Sequence, residues 1–331
     1  MQQCVRCIMD DKIPNISFDS NGLCSYCSLH DKMVLEYPTG QKGEEIVKSI
    51  VAQIKEDGKG KKYDCVVGIS GGCDSSFLLW KCKEYGLRPL AMTFDNTWST
   101  PISTENVSNI CEKLDVDLYT YVVDSDEFND ICRSFLHASV PDADVPNDIA
   151  ISAMYYRACN KYDINYFICG HSFRTEGTVP LGWTYMDGKY IESVHKQFGK
   201  IPMKTFPNLD MDFWLSNIHR KRIRLLYYFE YNKEEVKQML AEKFEWQWYG
   251  GHHRENEYTK FVKSFLLPKK FGIDKRFVEF SALIRSGNMT KEEAVEIMKE
   301  PEKVESGFME YVLKRLDLTK EQFEQIKKDI T

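Results

Sequence analysis

The stretch Cys65-Val66-Val67-Gly68-Ile69-Ser70-Gly71-Gly72-Cys73-Asp74-Ser75-Ser76, followed by Phe77-Leu78-Leu79-Trp80, decides the fold. An apolar run that reads as a buried strand passes through two glycines into a run that reads as a helix. A glycine turn lets the backbone approach a ligand closely, and the helix start offers free N–H groups and the positive end of its dipole. Ser70, Ser75 and Ser76 add hydroxyl donors, so the expected guest is a phosphate or pyrophosphate. This is not a Walker A loop, because no Lys-Ser/Thr pair follows the second glycine. The G-x-G-x-x-G spacing of the dinucleotide fingerprint is also missing. A plain glycine turn before a helix is the bland alternative.

Working outward, residues 43–57 carry a helical stripe of Ile46, Val47, Ile50, Val51 and Ile54. The helix after Ser75 is predicted to close at Gly86. Strands are predicted at 90–94, 118–123 and 166–169, and helices after Thr100-Pro101, around Phe128–Phe135 and over 148–161. Strands alternating with helices imply a parallel sheet covered on both faces, with ligands beyond the carboxyl ends of the strands. Those ends are Ser70-Gly71-Gly72, Asp95-Asn96-Thr97, Asp124 and Gly170-His171. From 172 to 215 the pattern fades, with a hairpin expected at Asp187-Gly188. Capping-box spacings at Asn232, Thr290 and Thr319 then mark a helical region. The run His219–Arg224 reads as a solvated helix face, and Leu267–Arg276, rich in Pro, Gly and cations, as a shaped anion-binding loop. Three regions are expected: a metal ribbon over 1–42, an α/β nucleotide domain over 43–215 with a long active-site loop from 172, and a mainly helical substrate or partner region over 216–331.

The pairs Cys4-x-x-Cys7 and Cys24-x-x-Cys27 have the spacing of a four-thiolate zinc site, closed and therefore structural. An iron–sulfur cluster is the rival occupant. Net charge is −6 and the composition is 43% hydrophobic, an acidic balance that argues against a dedicated nucleic-acid binder. Met1-Gln2-Gln3-Cys4 shows no secretory signal, and no apolar run approaches spanning length. Eleven cysteines without an export signal suggest a reducing compartment, so a cytoplasmic protein is expected.

The glycine turn resembles the SGGxDS signature of the PP-loop ATP pyrophosphatases. That family implies a Rossmann-like α/β fold of the adenine nucleotide alpha hydrolase type. ATP would be cut between its α- and β-phosphates, and an amide-type oxygen adenylated. Further text sharpens the likeness: Gly170-His171-Ser172-Phe173-Arg174-Thr175-Glu176-Gly177, Trp246–Asn256, Leu267–Arg276 and Ser281–Gly287. With the knuckles, the chain is similar over nearly its whole length to the N-acetyl sugar amidotransferases of bacterial surface-glycan (lipopolysaccharide O-antigen) synthesis. The resemblance implies conversion of the acetamido group of a nucleotide-linked sugar into an acetamidino group.

The same resemblance places Gly68, Ile69, Ser70, Gly71, Gly72, Asp74, Ser75, Ser76, Phe94, Asp95, Asn96 and Gly170 around ATP. It makes Asp74, Lys269, Lys275, Arg276 and His171 the candidate catalytic residues, with Asp74 also a magnesium ligand. Arg174, Glu176, His252, His253, Arg254 and Lys270 become candidate substrate contacts. The implied cofactors are ATP, Mg2+ and structural Zn2+. No amino-terminal nucleophilic cysteine and no G-x-C-x-G elbow are present, so ammonia is expected from solution or a partner. The resemblance implies a separate glutaminase with a barrel subunit related to those of histidine synthesis. A tRNA-thiolating PP-loop enzyme and a non-catalytic nucleotide-binding scaffold are the competing readings.

Overall fold

A computed structural model describes residues 2–251 and 253–328. Its centre is a five-stranded parallel sheet: β1 (Cys65–Gly68), β2 (Pro89–Asp95), β3 (Leu118–Val122), β4 (Tyr166–Ile168) and β5 (Lys221–Ile223). Their order is β3-β2-β1-β4-β5. The chain steps from β1 outward to β3, then returns across β1 to build the other half. The reversal lies between β1 and β4, which pair in register Cys65↔Tyr166 to Val67↔Ile168. A crevice opens at the carboxyl edge of such a switch point.

Every residue of β1 is buried. Because strand side chains alternate, Val66 enters one hydrophobic cluster while Cys65 and Val67 enter the other. On the Cys65 side the sheet is covered by α2 (Gly40–Asp57), α3 (Cys73–Glu84), α4 (Pro101–Lys113) and α9 (Lys233–Phe244). On the Val66 side lie α5 (Ser125–Ala138) and α6 (Val145–Tyr162), joined by the carboxyl-terminal helices. The local signals act as expected at several ends. Thr100 caps α4 by accepting from Ser103 N, Pro101 sits in its first turn, and Gly86 follows α3 at φ +72°. Thr290 forms a full capping box with Glu293. The amino-terminal segment adds α1 (Ser25–Glu36).

Three sequence expectations are corrected. Asp187-Gly188 is not a hairpin: Asp187 accepts from Lys189 N at 2.8 Å and caps α7 (Gly188–Phe198), whose Ile191 and Val194 are buried. An Asp ahead of an i, i+3 apolar pair is a helix start, and the glycine merely follows the cap. The basic run at 219–224 is not a helix face. Its centre is β5, paired parallel with β4, where exposed cations protect a sheet edge. The Leu267–Arg276 stretch is mostly not a loop. Val262–Phe271 is a helix of wide π-type turns with Pro268 inside it. Proline has no N–H for a regular turn, and the wider winding accommodates the gap. Gly272, at φ +65°, ends it, and α11 (Arg276–Arg285) begins four residues on.

Candidate active site

The glycine turn at the end of β1 is built to keep side chains out. A Cβ on Gly68 would fall 1.8 Å from Tyr155 Oη. Gly71 sits at φ +78°, and a Cβ there would fall 2.2 Å from the Ser103 carbonyl oxygen. The Gly71 carbonyl accepts from Trp246 Nε1 (2.8 Å) and Asn106 Nδ2 (3.2 Å), so two distant segments clamp the turn. Inside the turn Ser75 Oγ bonds Ser70 N and the Gly72 carbonyl, each at 3.2 Å. The helix α3 starts at Cys73, and its N-cap, Gly72, has no side chain to cap the first turn; the Tyr249 hydroxyl faces the Cys73 amide, and the turn's other amides are open to an anion.

Asp74 lies in that first turn. Tyr231 Oη donates to its Oδ1 at 2.6 Å, and Lys233 Nζ lies 2.9 Å from its Oδ2. Burial works against the charge on Lys233, but Asp74, Glu176 and Glu279 prevail and hold its pKa above the ordinary lysine value. Both carboxylate oxygens of Asp74 are thus engaged by a phenol and an ammonium. This arrangement does not present a prepared magnesium ligand.

The turn opens into a cavity of about 490 Å³ between the sheet edge and the carboxyl-terminal region. Gly68, Ile69, Ser70, Gly72, Asp74, Ser75, Phe94 and Gly170 line it. Trp248 and Tyr249 face it from the other side. A second cavity of about 660 Å³ adjoins it, with Lys260, Lys263, Lys275, Arg276 and Lys303 on its walls. Asp148, Glu176, His253, Lys263, Glu279 and Phe280 line both. Burial, reinforced by Asp74, pushes the Glu176 carboxyl up to about 8. Burial and neighbouring Asp148 push Asp144 up to about 7. Burial and the Lys263 charge lower Lys275.

Among the described residues, the remaining sequence candidates lie outside the first cavity. Gly71 shapes the turn from behind, and Ser76 is fully buried with no partner on its Oγ. Asp95 accepts from Thr97 N at 2.7 Å. Asn96 donates to Asn147 Oδ1 (2.9 Å) and accepts from Asn256 Nδ2 (2.8 Å), fastening the sheet edge behind the cavity. His171 lines the second cavity with Lys275 and Arg276, the last bound to Asp274 at 2.6 Å. Arg174 reaches away to the Tyr37 carbonyl at 2.8 Å. Arg254 binds Glu302 Oε1 at 2.9 Å. Lys269 is exposed and lines neither cavity, while Lys270 bonds Ser139 and the Ile326 carbonyl. His252 lies outside the described residues. Trp246 enters the sequence reading only as the start of the Trp246–Asn256 stretch, without a role, and sequence reasoning missed Tyr231, Lys233, Lys263, Glu279 and Asn106. Only the Asn232 cap beside Lys233 signalled any of them, because their roles arise from long-range contacts.

At the amino terminus the Sγ atoms of Cys4, Cys7, Cys24 and Cys27 are buried and all within 4.8 Å of one another. Cys4–Cys27 and Cys7–Cys24 stand 3.8 and 3.7 Å apart. Metal–sulfur bonds of about 2.3 Å in a tetrahedron put sulfurs about 3.8 Å apart, so the thiols fit a single ion. Thiolates bound to different irons of a cluster would have to stand farther apart. Among the described residues no helix is long and apolar enough to cross a membrane.

Residues 63–250 match the tRNA methyl transferase HUP domain, and residues 255–330 match the C-terminal domain of LPS biosynthesis protein WbpG-like sequences. An uncharacterized protein of Methanocaldococcus jannaschii is 30% identical over 119 residues, 35% of this chain and 41% of that protein. The chain thus spans about two fifths of the length of that curated relative. Among solved structures, an NMN synthetase from Francisella tularensis is 13% identical, covering 66% of this chain and 92% of its own at a TM-score of 0.30. A tRNA thiolase from Methanococcus maripaludis, solved with its iron–sulfur cluster, is 14% identical, covering 91% and 90% at a TM-score of 0.34.

Proposed function

We propose, for a chain that belongs to the tRNA methyl transferase HUP domain family and so to the PP-loop proteins, an ATP-consuming transfer of nitrogen to an acetamido sugar. The observation that carries this reading is the pair of cavities sharing one wall. One opens on the uncapped helix start and suits a polyphosphate. The other carries cations (Lys260, Lys263, Lys275, Arg276, Lys303) interleaved with carboxylates (Asp148, Glu176, Asp274, Glu279, Glu300, Glu302), a mixed polar wall that suits a hydroxyl-rich acceptor such as a sugar, nucleotide-linked or not. Most of its lining comes from the segment that matches the WbpG-like domain, which supports a glycan precursor as acceptor.

The chemistry is adenylation followed by substitution. The acetamido oxygen attacks the α-phosphorus, the bond to the β-phosphate oxygen breaks, and pyrophosphate leaves. The amides of the turn and Lys233 face the charge that develops there. Ammonia then adds to the acyl carbon, and the carbon–oxygen bond breaks to release AMP carrying the former amide oxygen. Magnesium enters this scheme as part of the bound nucleotide. The four-thiol centre holds zinc in a structural role. Ammonia is supplied in solution, or by a separate glutaminase with a barrel subunit.

Sulfur transfer to tRNA is the competing chemistry. Among the described residues Cys73 is the one cysteine lining either cavity. Burial and Asp74 push its thiol up to about 12, which suits neither a sulfur carrier nor a glutaminase nucleophile. Candidate acetamido sugars incubated with ATP, magnesium and ammonium should yield a product lighter by one mass unit, with AMP and pyrophosphate in equal amounts. Unchanged sugars across UDP-, CMP- and unlinked forms, alongside thiolated tRNA, would reverse the assignment.

A further inference from the structure

Resting on the amidotransferase reading, we propose that Glu176 is the general base that takes the proton from the attacking nitrogen. Glu176 lines both cavities, so its carboxylate stands where adenylated acceptor and incoming ammonia would meet. It is held in place by its own backbone: Glu176 N donates to the Ser172 carbonyl at 2.9 Å. Gly177 follows at φ +77°, pressed against Val278 so closely that a Cβ would fall 2.9 Å from it. This turn fixes where Glu176 points.

His171 Nε2 lies 3.8 Å from Glu176 Oε2, and Tyr227 Oη lies 3.1 Å from His171 Nδ1. The His171 side chain is 45% exposed. It also borders an outer pocket with Arg224 and Tyr227. His171 thus stands beside Glu176 as a positioned neighbour, with Tyr227 on its far nitrogen.

Ammonia adds its lone pair to the carbon of the adenylated imidate, giving a tetrahedral centre bearing –NH3+. Glu176 takes one proton from that nitrogen. The remaining electrons form the carbon–nitrogen double bond as the carbon–oxygen bond to AMP breaks, leaving the amidinium. Without the base, ammonia itself is the better leaving group and the adduct collapses backward.

Charged groups face Glu176 from several elements. Asp74 on α3 and Glu255 raise its pKa, while Lys233 on α9 and Lys263 lower it. Asp148 on α6 and Glu279 on α11 share its wall, beside His171 and His253. With burial dominating, the carboxyl sits near 8. A base works deprotonated, so turnover per unit of free ammonia should climb with pH through that region and then level off.

The test compares wild type and Glu176→Gln with two nucleophiles, ammonia and hydroxylamine, at saturating ATP and acceptor. Hydroxylamine forms an adduct whose nitrogen sheds its proton unaided. The variant should lose about 100-fold in kcat with ammonia, within the usual range for a lost general base, and under about 5-fold with hydroxylamine. Its rate per free ammonia should also lose the rise near pH 8. A merely structural Glu176 would depress both nucleophiles alike. Equal losses, or an unchanged ammonia rate, would overturn the proposal. If wild type makes no amidine with either nucleophile, it is the amidotransferase reading that fails.

Discussion

A Gly71→Ala variant is expected to bind ATP at least about 100-fold more weakly than wild type. Two costs combine. The backbone at Gly71 is left-handed, at φ +78°, which costs a residue with a Cβ about 1–2 kcal/mol. The new carbon would also lie 2.2 Å from the Ser103 carbonyl oxygen, and backbone cannot swing aside as a side-chain tip can. The turn must move, and with it the carbonyl clamped by Trp246 and Asn106 and the amides proposed to face the phosphates. Gly72→Ala is the contrast. Its Cβ would meet Ser70 Oγ at 3.1 Å and Tyr249 Oη at 3.2 Å, side-chain tips that can give way. Titration with a non-hydrolysable ATP analogue, with circular dichroism to confirm folding, measures both. Equal affinity in Gly71→Ala and wild type would show that phosphate does not depend on this turn.

Removing the metal is expected to have the second large effect. Cys7→Ser, or treatment with a strong chelator, should lower Tm by about 10 °C or more, since a four-thiolate ion contributes directly to folding. The damage should also reach the acceptor. Lys291 Nζ donates to the Cys4 carbonyl at 2.6 Å, and Arg285 Nη2 points at Cys7 Sγ from 3.9 Å. His30 Nε2 lies 3.4 Å from Ser286 Oγ, which in turn donates to the Arg174 carbonyl at 2.8 Å. Arg174 belongs to the turn that carries Glu176. Loss of the ion should therefore raise KM for the acceptor more than KM for ATP. Differential scanning fluorimetry and the two KM values read this out. Metal analysis by mass spectrometry should return zinc at one equivalent. An unchanged Tm after verified metal removal would sever the proposed link.

The sheet and its turn were legible because they rest on local pattern. A fully buried parallel strand is a continuous apolar run, and Cys65–Ile69 is one. The cysteine pairs were legible because ligand spacing is itself the signal. Failures occurred where tertiary contacts decide. Lys221–Ile223 is charged, yet pairing with β4 makes it a strand. Lys269 and Lys270 look equivalent to Lys275 and Arg276 in sequence. The π-type turns around Pro268 direct the first pair away from the cavities, while the next helix start brings the second pair to them. Lys233 could not be foreseen, because its partner Asp74 lies 159 positions earlier in the chain and only the fold joins them.

In the proposed reaction the turn after β1 presents ATP so that an acetamido oxygen takes the adenylate. The direct measurement uses an acceptor whose acetamido oxygen is a heavy isotope, turned over with ATP and ammonium and analysed by mass spectrometry of the nucleotide and phosphate products. The heavy oxygen should appear in AMP, with none in pyrophosphate. Label retained in the sugar, or found in pyrophosphate or inorganic phosphate, would contradict it.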